Sequence, residues 1–197
     1  MDKISNDGEV KYRGDPPHAF LAYWCAKALS QVFLYGNLDE KLRNRCKDKL
    51  TRLWKWSALE INKQISCHAS GEIDKFDAAQ LAYSLAIQDL FWKERDIGSE
   101  LKIKRLELGI LEKGVDLIFE FQRDMGLWPK FAPIFHTKEQ GSIYPFAYQM
   151  LDALLSIADE RNFRIFEKHL DRLSYTLRWV EENRISYYYQ KGEKGEK

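Results

Sequence analysis

HAFLAYWCAKAL at residues 18–29 is the stretch that decides the predicted fold, because two partial copies of it follow. Residues 76–87 read FDAAQLAYSLAI and residues 144–155 read YPFAYQMLDALL. Each copy has an aromatic residue near a polar or proline helix-start signal and then an Ala-Tyr pair. A helix that recurs in this way, with a second helix after it, predicts helical hairpins. Each hairpin must stack on the next to bury its apolar face.

Helical periodicity extends from these three stretches over most of the chain. In the first stretch Phe20, Trp24, Ala28 and Val32 recur every fourth residue. Helices are predicted at roughly 18–35, 40–70, 77–92, 99–126, 144–158 and 166–180, with Asp39 as a cap of the second. We expect an N-terminal segment at 1–17, one hairpin-repeat domain at 18–190 and a disordered tail at 191–197. The expected fold class is all-α, with three αα-hairpins in an arc.

The composition indicates one domain with a real core and no strong charge bias. The chain has 197 residues, 45% of them hydrophobic, with 31 basic residues against 30 acidic ones. The basic residues between Lys41 and Lys55 spread around their helix, which is typical of a solvated surface. Nucleic acid is therefore not an expected partner.

Cysteine and histidine usage indicates neither disulfides nor a metal site. Cys25, Cys46 and Cys67 form no CxxC pair, so free buried thiols in a reducing compartment are expected. The histidines show no metal-ligand spacing, and no nucleotide-binding string occurs, so no metal and no cofactor are expected. Residues 1–15 lack the apolar core of a signal peptide, and no apolar run is long enough to cross a bilayer. We expect a cytoplasmic protein that does not enter a membrane.

The most specific segment is KGVDLIFEFQRDMGLW at residues 113–128. It resembles the QW motif of squalene and oxidosqualene cyclases, which belong to the α/α-toroid proteins. The resemblance implies a partial α/α toroid in which this segment is a joint between hairpins. Gly126 would end the fourth helix in a left-handed turn, and Gln122 would lie against the ring of Trp128. The motif positions are filled by Lys113, Gly114, Leu117, Ile118, Gln122, Gly126 and Trp128.

Two departures separate this chain from the cyclases. The family barrel closes with six hairpins, so three hairpins leave an open arc, half of a dimeric ring or a piece of a larger assembly. The acidic DxDD and DDxxD signatures of terpenoid enzymes are absent. Asp74 and Asp77 form only a DxxD and fit better as turn and cap residues. Cys67 and His68 lack a third partner for the zinc that protein prenyltransferases hold.

Aromatic residues cluster at the starts of the first, third and fifth helices. If those helices line the inside of the arc, their rings gather in one place that suits an apolar ligand, a cation or a partner's helix. Packing between hairpins is the alternative interpretation. His136 joins the candidates because it lies in the longest irregular stretch. The candidate contact residues are Tyr23, Trp24, Tyr83, His136, Tyr144 and Tyr148.

Three functional hypotheses follow. The first is a non-catalytic binding or scaffolding module that holds a protein partner or an apolar ligand on a concave aromatic face, as a homo-oligomer or with a partner chain. The second, implied by the resemblance, is a terpenoid-cyclase-like enzyme for an isoprenoid or apolar substrate, with Asp15, Asp74 or Asp77 as its acid. The third is an HEPN-like ribonuclease, since Arg164 and His169 fit the loose Arg-x(4–6)-His pattern of those all-helical enzymes.

Overall fold

The computed structural model describes residues 4–11, 16–93, 97–123, 126–128, 144–158 and 162–193, and the side chains in these ranges except 144–148 and 183–193. Every regular element in these ranges is helical, and the residues Ile4 and Val10 form an isolated β-bridge. The predicted all-α class is confirmed. The helices are α1 Ala19–Tyr35, α2 Glu40–Ala69, a 3₁₀ turn Ile73–Lys75, α3 Ala78–Lys93, α4 Ile97–Leu101, α5 Leu108–Glu120, α6 Tyr144–Ile157, α7 Phe163–Glu167 and α8 Leu170–Glu193.

The starts of α2 and α3 follow from local sequence. The Asp39 carboxylate accepts a hydrogen bond of 2.7 Å from the backbone nitrogen of Leu42. The Asp77 carboxylate accepts from the backbone nitrogens of Ala79 and Gln80 at 2.9 and 3.1 Å. These bonds satisfy N–H groups that have no partner inside the first helical turn, so both predicted caps are confirmed.

The backbone polar groups at the start of α1 are bonded by a side chain that is distant in the sequence. His18 makes no side-chain cap bond. The Gln80 side chain, on α3, accepts from the Ala19 nitrogen at 2.6 Å and donates to the Pro17 carbonyl oxygen at 2.7 Å. One side chain therefore fixes the first turns of α1 and α3 to each other.

The predicted fourth helix is wrong, because the chain breaks it into α4 and α5. Lys102 has a φ of 55°, in the left-handed region. The nitrogens of Lys102 and Ile103 donate back to the carbonyl oxygens of Ser99 and Gly98, both at 3.1 Å. This pair of bonds is the usual way in which a helix ends at a left-handed residue. Residues 103–107 then run without helix until α5 begins.

The predicted sixth helix is also divided. α7 ends at Glu167, and the nitrogen of His169 donates to the carbonyl oxygen of Phe166 at 2.8 Å in a tight turn. α8 begins at Leu170 and extends to Glu193. The turn directs the His169 side chain toward α5, where it bonds to Asp116.

α3 lies at the centre of the packing. It contacts α1, α2, α5 and α6. The Gln80–Ala19 bond and the contact between the Tyr23 and Tyr83 rings show that α1 and α3 run in the same direction. The Tyr83–Asp152 bond shows that the middle of α3 lies beside the middle of α6. Because neighbours surround it, 12 of the 16 residues of α3 are buried.

The QW-like segment joins three helices. Trp128 is 1% exposed, and its indole nitrogen donates to the carbonyl oxygen of Ile118 on α5 at 2.8 Å. Gln122 donates instead to α8, at 2.8 Å to the Thr176 hydroxyl. Gly114 lies against α3, since a Cβ there would come within 2.8 Å of Leu85. The predicted contact between Gln122 and Trp128 stays a prediction.

Gly126 has the predicted positive φ, at 75°, but a different position from the one expected. α5 already ends at Glu120, so the prediction that Gly126 ends the helix is wrong. Gly126 instead lies in a tight turn pressed against α8, where its carbonyl oxygen accepts a bond of 2.6 Å from the Thr176 hydroxyl. The turn folds the chain back under α5 and carries Trp128 into the core.

Candidate binding site between α1, α3 and α6

Three of the predicted contact residues come together where α1 lies against α3. The ring centroids of Tyr23 and Tyr83 are 5.5 Å apart, and those of Tyr23 and Trp24 are 5.7 Å apart. Phe20 joins them, with its ring 5.3 Å from Tyr83 and 6.4 Å from Trp24. Most of these contacts are edge-to-face, the arrangement that aromatic quadrupoles favour. We call Phe20, Tyr23, Trp24 and Tyr83 the aromatic face.

The residues of the aromatic face differ in exposure. Tyr83 and Tyr23 are buried, whereas Trp24 is 44% exposed. The packing interpretation therefore applies to the two tyrosines, and Trp24 is the ring that meets solvent. Tyr144 and Tyr148 lie in the first turns of α6, with side chains outside the described set, and His136 lies outside the described residues altogether.

The tyrosine hydroxyls bond to α6. The Tyr23 and Ser156 hydroxyl oxygens are 2.8 Å apart, and the Tyr83 hydroxyl donates to the Asp152 carboxylate at 3.2 Å. Burial, together with the neighbouring Asp152 carboxylate, raises the pKa of Tyr83 far above its ordinary value. Tyr83 is thus a neutral hydrogen-bond donor, and the two hydroxyls join α6 to α1 and α3.

A cleft of about 210 Å³ opens beside the aromatic face. Ser30 lines the cleft and is buried, and its hydroxyl oxygen has no hydrogen-bond partner among the described residues. A buried hydroxyl without a partner costs free energy of roughly 1–3 kcal/mol, so a group that bonded to it would stabilise the site. The apolar lining of the cleft comes from Leu34, Ala86, Leu90 and Ile97.

Two lysines give the cleft its positive charge. The Lys93 ammonium lies 3.6 Å from the Asp89 carboxylate. The Lys27 ammonium lies 4.9 Å from the centre of the Trp24 ring and 5.8 Å from that of Tyr23, which are cation–π distances. Within the described part of the chain, Lys27 has no carboxylate at ion-pair distance. Its charge is therefore available to an anion in the cleft.

Sequence reasoning missed Lys27, Ser30 and Asp152. The signal was present for two of them, because Lys27 is the sole charged residue of α1 and Asp152 the sole charged residue of α6. A lone charge in an otherwise apolar helix is costly unless it meets a partner or a functional group. Ser30 carries no such signal, since serine is common in helices.

The acids proposed for an enzyme lie elsewhere. Asp74 is exposed in the 3₁₀ turn, and Asp77 caps α3. Burial raises the pKa of Asp77 to about 6, although two backbone N–H groups stabilise its charge. The Gln64 side chain accepts from the Asp77 nitrogen at 2.7 Å and donates to the buried Glu60 carboxylate at 2.7 Å. Gln64 thus links Glu60 of α2 to Asp77 at the start of α3, and Asp15 lies outside the described residues.

The two residues of the ribonuclease hypothesis have separate surroundings. Arg164 is exposed on α7. The His169 imidazole bonds to Asp116 at 2.8 Å through Nε2 and stacks on Phe119 with 4.4 Å between ring centroids. Burial acts to raise the pKa of Asp116, but hydrogen bonds from Lys168 and His169 outweigh it and hold that pKa below its ordinary value. The cluster fixes α8 to α5.

Comparison of the chain with protein-family models, curated proteins and solved structures finds no match. Within the described ranges, no helix is both long and apolar enough to cross a membrane. The same ranges contain no group of three or more His, Cys, Asp or Glu side chains placed to hold a metal ion. Cys46 and Cys67 are buried free thiols.

Proposed function

We propose that this chain is a non-catalytic helical binding module that holds an apolar ligand, or an apolar side chain of a partner protein, beside the aromatic face. The observation that carries the proposal is the cleft itself. Leu34, Ala86, Leu90 and Ile97 give it an apolar wall, and among its polar lining residues the buried Ser30 hydroxyl has no hydrogen-bond partner in the described part of the chain. The Lys27 ammonium beside it lies over the Trp24 and Tyr23 rings. An apolar pocket with a few polar groups is the usual form of a ligand site.

The charge of the cleft favours an anionic group on the bound molecule. Lys27 supplies a full positive charge and Ser30 supplies a hydrogen-bond donor, and both residues line the cleft. Leu34, Leu90 and Ile97 supply the apolar surface for the remainder of the molecule. An apolar body with one anionic group would satisfy both features at once.

The packing order supports an arc as part of this proposal. α3 contacts both α1 and α6, α2 contacts α1 and α3, and α8 contacts α6. Stacked hairpins in such an order present their first helices on one side, as the resemblance to α/α-toroid proteins implies.

The two enzyme hypotheses find less support. A terpenoid-cyclase-like reaction needs an acid at the cavity, yet Asp74 and Asp77 lie at the junction of α2 and α3. Asp152, the acid that bonds to the aromatic face, already accepts the Tyr83 hydroxyl. An HEPN-like ribonuclease needs an available imidazole, and His169 bonds its Nε2 to Asp116.

Titration of the full chain with 1-anilinonaphthalene-8-sulfonate, an apolar molecule that carries one sulfonate, tests the proposal by calorimetry. We expect one saturable site per chain. Lys27→Met keeps the apolar stem and removes the charge, and it should weaken binding about tenfold, equivalent to about 1.4 kcal/mol. Lys55→Met, at an exposed position of α2, is the matched control and should bind as the wild type does. Absence of a saturable site, or equal affinities of the two variants, would contradict the proposal.

A further inference from the structure

Lys93, one of the two lysines of the cleft, has its charge balanced by a buried acid. Its ammonium lies 3.6 Å from the carboxylate of Asp89, one helical turn earlier on α3. The Asp89 side chain is 4% exposed, and its Oδ1 atom accepts a hydrogen bond of 3.0 Å from the Asn162 amide nitrogen. A carboxylate so far removed from water is stabilised by a counter-charge. Lys93 therefore cannot turn to an anion in the cleft without giving up its ion pair with Asp89.

Lys27, the other lysine of the cleft, differs in its surroundings. Its ammonium lies over the Trp24 and Tyr23 rings, and no carboxylate of the described ranges lies at ion-pair distance from it. An aromatic ring attracts a cation but has no net charge, so it does not neutralise the lysine. Two lysines against one aspartate leave the described surroundings of the cleft with a single positive charge to offer.

The hydrogen bonds of the cleft leave Ser30 as its available hydroxyl donor. Ser156 donates its one hydroxyl proton to the backbone carbonyl oxygen of Asp152 at 2.7 Å. The Tyr23 hydroxyl, 2.8 Å from the Ser156 oxygen, must then donate to Ser156, so the protons of both hydroxyls are in use. The buried Ser30 hydroxyl has no partner in the described part of the chain. Since Ser30 follows Lys27 by three residues on the same side of α1, the two can donate to one acceptor group.

We infer that the cleft binds a small apolar carboxylic acid as its monoanion, and that Asp89 sets this preference through Lys93. This inference rests on the proposed binding function and adds the charge of the ligand. The carboxylate accepts from Lys27 and from Ser30, and charge strengthens both hydrogen bonds. A second negative charge, as on a phosphate monoester, would meet a lysine that is already paired and would be repelled by Asp89.

Asp89 does not line the cleft, so it is a positioning residue that acts on the ligand through Lys93. A purely structural role of Asp89 would change the affinity for all ligands alike. The role inferred here changes the relative affinity for one charge against two. The ratio of two affinities is therefore the quantity that tests the inference.

Calorimetric titration of the full chain with three octyl compounds measures this ratio. At about pH 8, octanoate carries one negative charge, octyl phosphate carries close to two and octanol carries none. We expect the wild type to bind octanoate about tenfold more tightly than either of the others, equivalent to about 1.4 kcal/mol. Displacement of 1-anilinonaphthalene-8-sulfonate by octanoate will show that both molecules occupy one site.

Three variants assign the preference to Asp89. Asp89→Asn keeps an oxygen that accepts from Asn162 but removes the charge, so Lys93 is released and octyl phosphate should bind at least as tightly as octanoate. Asp89→Asn combined with Lys93→Met removes both charges of the pair and should restore the wild-type preference. Asp74→Asn, the same substitution at an exposed position, is the matched control and should keep that preference. Circular dichroism will verify that each variant is folded.

The outcomes separate this inference from the proposed function. Octyl phosphate or octanol that binds the wild type as tightly as octanoate would overturn the inference, and this result does not depend on the folding of any variant. A folded Asp89→Asn variant with the wild-type preference would overturn it too. Saturable binding of 1-anilinonaphthalene-8-sulfonate in either case would leave the proposed function in place. If neither that molecule nor any octyl compound binds, the proposed function is overturned together with the inference.

Discussion

The indole nitrogen of Trp128 donates a hydrogen bond of 2.8 Å to the carbonyl oxygen of Ile118. Ile118 lies in the last turn of α5, the helix that comes before Trp128 in the chain. The ring also lies 6.0 Å from that of Phe119. The chain after α5 thus returns to the helix that it has just left. This contact sets the exit of the chain from α5, and it explains why the QW-like segment acts in the fold and not at the cleft.

Replacement of Trp128 should destabilise the protein strongly. Trp128→Ala removes a large buried ring and should cost about 3–5 kcal/mol of the free energy of unfolding. Trp128→Phe keeps most of the packing but leaves the Ile118 carbonyl without its donor, so it should cost about 1–3 kcal/mol. Urea denaturation will measure both values. An Ala variant as stable as the wild type would contradict the structural interpretation of this residue.

Gly126 and Gly71 provide a matched pair of positive-φ positions. Their φ values are 75° and 74°. A Cβ at Gly126 would come within 2.5 Å of the Thr176 nitrogen, whereas a Cβ at Gly71 would meet nothing within 4 Å. Gly71→Ala should therefore lower the free energy of unfolding by only about 1–2 kcal/mol, the cost of holding a residue with a Cβ in the left-handed region. Gly126→Ala must also displace α8, so it should lower the free energy of unfolding by clearly more than Gly71→Ala does. Equal thermal midpoints for the two variants would show that the contact with α8 is unimportant.

Asp77 should make stability depend on pH. Its pKa is about 6 in the folded state against 3.8 for an ordinary aspartate, so the folded state binds more protons between these values. Stability is therefore lost as the pH rises from about 4 to 6. Asp77→Asn keeps a capping oxygen without the charge, and at pH 7.5 it should be more stable than the wild type by roughly 1–3 kcal/mol. At pH 4 the gain should vanish.

Two variants serve as controls for the Asp77 measurement. Asp77→Ala removes both the charge and the cap, so it should be about 1 kcal/mol less stable than Asp77→Asn at either pH. Asp74→Asn, at an exposed position of the 3₁₀ turn, should leave the pH dependence as it is. Urea denaturation midpoints at both pH values will measure these differences in stability. If the stability of Asp77→Asn depends on pH as that of the wild type does, Asp77 is not the source of the pH dependence.

Gln80 should stabilise α1 from outside that helix. Gln80→Met has nearly the same shape but leaves the Ala19 nitrogen and the Pro17 carbonyl oxygen without their partners. The cost should be about 1–3 kcal/mol. Amide hydrogen exchange will locate the effect, which we expect in the first turn of α1 and not in the first turn of α2. Asp39→Ala should produce the opposite pattern, since Asp39 caps α2.

Local chemistry in the sequence determined much of the secondary structure. Asp39 and Asp77 cap helices because their side chains reach N–H groups only two or three residues away. The positive φ at Gly126 could be predicted because glycine, which has no Cβ, adopts the left-handed region without a steric cost. The repeated apolar periodicity likewise predicted α1, α2, α3 and α6 with ends close to those in the structure.

Tertiary structure decided the features that depend on residues distant in the sequence. α5 ends at Glu120, well before Gly126, because the chain must turn back to seat Trp128 under Ile118. The buried side of α1 is the one that packs on α3, and the periodicity of Phe20, Trp24, Ala28 and Val32 did not reveal which side that would be. The polar groups of Lys27 and Ser30 became a candidate site only when α3 and α6 were in place beside them. A sequence encodes which side chains share a helix face, but the neighbours of that face are set by packing over the whole chain.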